Sequence, residues 1–174
     1  MNRRDILLAG ASATAGLAAS WGAVRFAGRP GTRFASLEAG ASPYEIAYSD
    51  TEWRRRLTEA EFLVLRRGET ERPFSSTLND EKRAGTYHCA GCELAVYSAE
   101  HKFDSGTGWP SFYRSLDDAV RTKPDHSLFA ARTEVHCRRC GGHFGHIFDD
   151  GPEPTGMRHC LNGAALDFRP TAGA

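Results

Sequence analysis

The chain has 174 residues, 40% of them hydrophobic and 25% charged, with 22 basic side chains against 22 acidic ones and a net charge of zero. That length suits one ordinary domain with a sizeable core, together with an appendage. No basic stripe is left to neutralise a phosphate backbone, which argues against nucleic acid as a partner.

The appendage comes first. Residues 1–27 begin with Arg3-Arg4, run uncharged from Ile6 to Val24 through Ala, Gly and Ser, and are followed by Arg25 within the same segment. A basic start, a weakly apolar middle and small residues near the end are the layout of an export signal. Arg3-Arg4 followed by Asp5-Ile6-Leu7-Leu8 resembles a twin-arginine signal, although Asn2 stands before the pair where Ser or Thr is usual. The run is nearly long enough to span a bilayer, but its small residues make a poor spanning helix. Export to the periplasm is therefore expected, with a membrane-tethered form if the segment is retained. Residues 28–42 carry Gly, Pro, Ala and Ser with few large apolar groups and read as a flexible tether. The folded domain is expected over residues 43–170.

Within it, Asp50 or Thr51 is placed to cap a short helix through Trp53 to Leu57. Thr58-Glu59-Ala60-Glu61 matches a capping box that starts a second helix, with Gly68 as its stop. From Thr86 the texture changes to short apolar runs divided by Gly, Pro, Asp and Asn. These are Thr86–His88, Leu94–Tyr97, Ala119–Thr122, Leu128–Ala130, Glu134–His136, Phe144–Phe148 and Ala164–Phe168. That is the pattern of antiparallel strands joined by turns. The fold expected is mainly β: two small antiparallel sheets behind short N-terminal helices.

Five cysteines carry the chemistry. Cys89 and Cys92 form one C-x-x-C, Cys137 and Cys140 a second, and Cys160 stands alone. Two such knuckles supply four soft ligands for a tetrahedral structural zinc, one per chain. A redox pair or disulfides are the alternatives. The gap from Cys92 to Cys137 far exceeds the ~15–20 residues of a compact zinc ribbon, so the knuckles are expected on separate hairpins brought together by a larger sheet. A closed four-sulfur shell has no open position for water, which leaves reactivity to Cys160.

Around Cys160 the sequence reads Arg158-His159-Cys160-Leu161-Asn162. On an extended strand residues two apart share a face, so Arg158, Cys160 and Asn162 are expected to line one surface, where a cation and an amide favour a thiolate. Upstream, His143 and His146 could serve as proton donors near neutral pH. The Ser105–Phe112 loop presents Trp109 and Phe112, rings suited to a methyl thioether.

In this order the segments C-A-G-C, S-G-T-G-W-P-S-F, C-R-R-C-G-G-H-F-G-H-I-F-D-D-G-P and R-H-C-L-N-G-A-A-L-D-F resemble the peptide-methionine (R)-S-oxide reductases, the B-type methionine sulfoxide reductases. The likeness extends from about Pro43 to Arg169. It implies reduction of the R epimer of methionine sulfoxide in oxidised proteins, with Cys160 as nucleophile and Cys89, Cys92, Cys137 and Cys140 as zinc ligands. It further implies that Trp109 contacts the substrate methyl, that His143, His146 and Asn162 orient and polarise the sulfoxide, and that Asp150 and Arg158 tune the thiolate. No organic cofactor is implied, and a monomer served by a thioredoxin-like or other external thiol is expected.

Three positions depart from the family pattern: His159 where Tyr is commonest, Gly163 where Ser is common, and Thr107 where many members carry a recycling cysteine. With four thiols on metal, none remains to attack an oxidised Cys160, so recycling is expected to differ from the two-cysteine route. A non-catalytic, zinc-stapled β binding module is the competing reading.

Overall fold

The computed structural model describes residues 42–127 and 131–173. The export signal expected over 1–27, nearly all of the tether expected over 28–42 and the strand expected at Leu128–Ala130 lie outside these residues.

Two short helices open the domain. Helix α1, Asp50–Arg56, is capped by Ser49, whose hydroxyl accepts the Glu52 amide at 3.3 Å. The cap falls one residue before the expected Asp50, which instead sits in the first turn, where a carboxylate favours the positive end of the helix. Helix α2, Glu59–Arg67, has the full capping box: Thr58 Oγ1 accepts the Glu61 amide and Glu61 Oε2 accepts the Thr58 amide. Gly68 ends it in the left-handed region. Trp53, Phe62, Val64 and Leu65 are buried, and α2 packs on strand β7 (His143–Phe148).

The strands form two antiparallel sheets. A three-stranded sheet in the order β2-β1-β9 contains β1 (Gly85–Cys89), β2 (Ala95–Ser98) and β9 (Leu166–Pro170). A six-stranded sheet in the order β3-β4-β8-β7-β6-β5 contains β3 (Lys102–Phe103), β4 (Ser111–Phe112), β5 (Val120–Asp125), β6 (Arg132–Cys137), β7 and β8 (Arg158–Leu161). Of the run expected at Ala164–Phe168, the first two residues belong instead to a 3-10 turn, Gly163–Ala165. Tyr87, Val96, Tyr97, Phe112, Val135, Phe144 and Leu161 are fully buried in the core. Val96, Phe112, Val135, Phe144 and Leu161 each contribute roughly 1.5–3 kcal/mol on burial.

Strand β8 lies inside the six-stranded sheet, between β4 and β7. Its register sets Cys160 opposite Ser111 on one side and His146 on the other. Cys160 is thus held by backbone pairing on both flanks.

Candidate active site

Cys160 is half-buried and opens on a cavity of about 140 Å³ walled by Trp109, His146, Phe148, Leu161 and Asn162, with Arg132 at its margin. Close approach of β7 makes this possible. A Cβ on Gly145 would lie 2.1 Å from the Cys160 carbonyl oxygen, inside any real contact, so only glycine lets the two strands pair at this level. The His-x-x-His pattern of the sequence drew attention to the histidines; the glycine between them is equally part of the site.

Arg158 is buried and grips Asp150 through two hydrogen bonds of 2.8 Å, with its guanidinium over the Phe148 ring. The guanidinium holds the Asp150 carboxyl below its ordinary value. Burial pushes the Cys160 thiol up, while a hydrogen bond from Thr107 and the Arg158 charge pull the other way. Thr107 Oγ1 is 3.9 Å from the sulfur.

The strand stops at Leu161, yet Asn162 still faces the cavity. Its Oδ1 accepts the Glu71 amide at 2.9 Å and its Nδ2 donates to the Phe144 carbonyl at 2.9 Å, leaving one amide hydrogen free. Glu71 has no sequence signature as a site residue, but it holds three parts of this wall. Its carbonyl accepts the Trp109 indole N–H at 3.1 Å, its amide meets Asn162, and its carboxylate accepts the amides of Gly163 and Ala164 at 2.6 and 3.0 Å.

The two histidines are placed differently. His146 lies at the Cys160 cavity and its Nε2 is 2.7 Å from Asp125 Oδ2. Burial lowers its pKa below the ordinary value despite that carboxylate. Asp125 is held well below the carboxylate range by the Ser127 amide and hydroxyl, then by His146 and Arg132. His143 lines a neighbouring cavity of about 370 Å³ instead, with its Nδ1 3.1 Å from Glu134 Oε1 and its ring centroid 5.4 Å from that of His146. Asp125, Arg132 and Glu134 were not legible as partners, because isolated charges on strands have no motif.

Phe112, expected to present its ring to substrate, does not line the Cys160 cavity. It has no exposure and packs on Tyr87 and Tyr97 at centroid distances of 4.9 and 4.7 Å. The reason is the two-residue period of a strand: Ser111 pairs with Cys160 and shares its face, whereas Phe112 pairs with His159 and turns to the other. His159 there meets the Tyr97 hydroxyl at 2.9 Å, and burial lowers its pKa to about 4.

The remaining four cysteines converge. Their sulfurs lie within 4.8 Å of one another, Cys89 to Cys140 at 3.7 Å and Cys92 to Cys137 at 3.5 Å. Four thiolates about 2.3 Å from one tetrahedral ion stand roughly 3.8 Å apart, so the donor set fits a metal ion. Cys89 ends β1 and Cys137 ends β6, so such an ion would fasten one sheet to the other.

The sequence profile of the SelR domain matches residues 57–170. The chain belongs to the MsrB family. Among curated relatives, the peptide methionine sulfoxide reductase MsrB of Leifsonia xyli subsp. xyli is 50% identical over 136 residues, covering 77% of this chain and 98% of that protein. The MsrB of Methanosarcina barkeri is 51% identical over 125 residues, 71% of this chain and 88% of that one. Peptide methionine sulfoxide reductase B1, chloroplastic, of Oryza sativa subsp. japonica is 45% identical over 133 residues, 76% and 62% respectively. As an MsrB-family chain this one carries Gly163 after its Cys160-Leu161-Asn162 segment, and the structure supplies the reason. A Cβ there would fall 1.9 Å from Ser76 Oγ and 2.5 Å from Ser76 Cβ, so Ser76 occupies the room a larger residue would need.

Proposed function

We propose that this protein reduces the R epimer of methionine sulfoxide in oxidised proteins and peptides to methionine. The observation that carries the reading is a half-buried thiol opening on a small cavity walled by the Trp109 and Phe148 rings. Trp109 takes the sulfoxide methyl against its face, which fixes which substituent points where and hence the epimer. The free amide hydrogen of Asn162 polarises the S–O group, His146, whose Nε2 is held by Asp125, orients it from the cavity wall, and His143 supports from the adjoining cavity. Phe112 serves this site only as packing.

The first half-reaction needs one proton. A thiol and a sulfoxide become a sulfenic acid and a thioether, so the proton of the Cys160 thiol ends on the transferred oxygen. Arg158, oriented by Asp150, stabilises the thiolate as it forms. An external thiol then condenses with the sulfenic acid, releasing water and forming a mixed disulfide that a second thiol resolves. Thioredoxin-like dithiols suit that role.

Zinc is the ion proposed for Cys89, Cys92, Cys137 and Cys140, where it supplies a structural crosslink between the sheets. No organic cofactor enters, and a monomeric chain contains every residue invoked. An assay with separate R and S epimers and a dithiol donor tests the reading: turnover of the R epimer alone is expected, and reduction of the S epimer would refute it. Export rests on Arg3-Arg4 and the uncharged run behind them. Lysine at both positions is expected to strand the protein in the cytoplasm; its continued appearance outside would overturn the twin-arginine reading.

A further inference from the structure

Three hydroxyls run in single file from the Cys160 sulfur. Thr107 Oγ1 is 3.9 Å from Sγ, Ser105 Oγ is 2.8 Å from Thr107 Oγ1, and Ser111 Oγ is 2.8 Å from Ser105 Oγ. The file ends where Ser111 Oγ donates to the Trp109 carbonyl at 3.2 Å. Ser111 is fully buried, and the β4–β8 register places it directly opposite Cys160.

A hydroxyl has one proton to give, so the file has two self-consistent orderings. In the first, every proton points away from the sulfur: the thiol donates to Thr107, Thr107 to Ser105, Ser105 to Ser111, and Ser111 to the Trp109 carbonyl. In the second, every proton points towards it: Ser111 donates to Ser105, Ser105 to Thr107, and Thr107 to the sulfur. A thiol has a proton to give and matches the first ordering. A thiolate only accepts and matches the second.

We propose that Thr107, Ser105 and Ser111 form a two-position hydroxyl chain that reverses as Cys160 ionises, with Thr107 a catalytic residue and the two serines positioning it. The proposal rests on the reading of Cys160 as the reacting thiol. No proton travels along the chain. Each hydroxyl turns about its C–O bond, and the thiol proton leaves to water or to the sulfoxide oxygen. Inside a half-buried site each bond polarises the next, so the far end of the chain is felt at the sulfur.

The other groups that bear on this sulfur come from its own strand and from β7. Arg158 on β8 is paired with Asp150, and His146 on β7 is paired with Asp125, which Arg132 also holds. From β4 and the loop before it come Ser111, Trp109 and Thr107. Burial raises the thiol, and the Thr107 hydrogen bond is the foremost of the influences that lower it.

The test is the pH profile of iodoacetamide alkylation at Cys160, read at that residue by mass spectrometry on the full chain. Thr107→Val keeps the shape and deletes the hydroxyl; its midpoint should rise and alkylation at neutral pH should slow about tenfold, one unit of pKa. Thr107→Ser should restore the profile. Ser111→Ala never touches the sulfur, yet it should act in the opposite sense. It removes two hydrogen bonds from the thiol ordering and one from the thiolate ordering, so alkylation at neutral pH should quicken about fivefold. Opposite signs from the near and far ends are a result that loosening of the loop does not produce. An unchanged profile in Thr107→Val, or an upward shift in Ser111→Ala, would overturn the proposal. Because alkylation needs no sulfoxide, these shifts appearing without R-epimer turnover would fell the reductase reading alone, and turnover without them would fell the hydroxyl chain alone.

Discussion

Serine at position 160 is expected to leave the fold intact and to stop turnover, with the rate falling by at least about a thousandfold. The hydroxyl takes the place of the thiol between Ser111 and His146 with almost no change in volume, but it does not ionise and is a poor nucleophile towards sulfur. In the native chain the thiol titrates above its ordinary value because it is buried. The sign of the pH dependence follows. Below that pKa the thiolate fraction grows roughly tenfold per unit rise in pH, so the first half-reaction should accelerate through neutrality into the alkaline range. His146 titrates below its ordinary value and adds no falling limb there. Without reductant, a single turnover should give about one methionine per chain and a dimedone-reactive Cys160, since the other four sulfurs are gathered elsewhere. A disulfide between Cys160 and Cys89, Cys92, Cys137 or Cys140, or turnover by the Cys160→Ser variant, would overturn the assignment.

The second large effect belongs to the four-sulfur cluster. Cys137→Ser should lose its metal and with it much of the fold, because binding free energy at such a site is folding free energy. Cys137 closes β6, the strand that carries Arg132 and Glu134 beside the histidines, so damage there reaches the cavity through Arg132, which lines it. A melting midpoint lower by at least about 10 °C is expected, the shift that a loss of several kcal/mol brings in a domain of this size. Metal analysis and a thermal melt on the same sample check it. Metal loss with an unchanged melt would show that the ion does not hold the sheets together.

The parts legible in the sequence were those where chemistry dictates spacing. Thr58 and Glu61 must stand three apart to cap each other, and each cysteine pair must stand three apart to share an ion; both appear in the structure as read. Arg158 and Cys160 on one strand were readable for the same reason, through the two-residue period. That period applied to β4 would also have separated Phe112 from Ser111, but a strand of two residues announces itself to no periodicity. Glu71 escaped because it acts through its backbone as much as its carboxylate. Asp125 and Glu134 escaped because their importance comes from the β5–β6–β7 register, which brings them to His146 and His143 from 21 and 9 positions away in the sequence.

The pairing of β1 with β9 sets the order in which the molecule can be assembled. Cys89 lies beside Leu166, and the three-stranded sheet is closed by joining residues 85–89 to residues 166–170. Contacts of such long sequence separation form late, after the loop entropy between them has been met. During synthesis the first knuckle and the helices emerge early, but the sheet that seats them waits for a segment made after Cys160 itself. Cys160 and the strand that closes the three-stranded sheet stand at most ten residues apart, so the thiol reaches solvent together with the segment that completes the domain, and the finished site is among the last parts of the molecule to form.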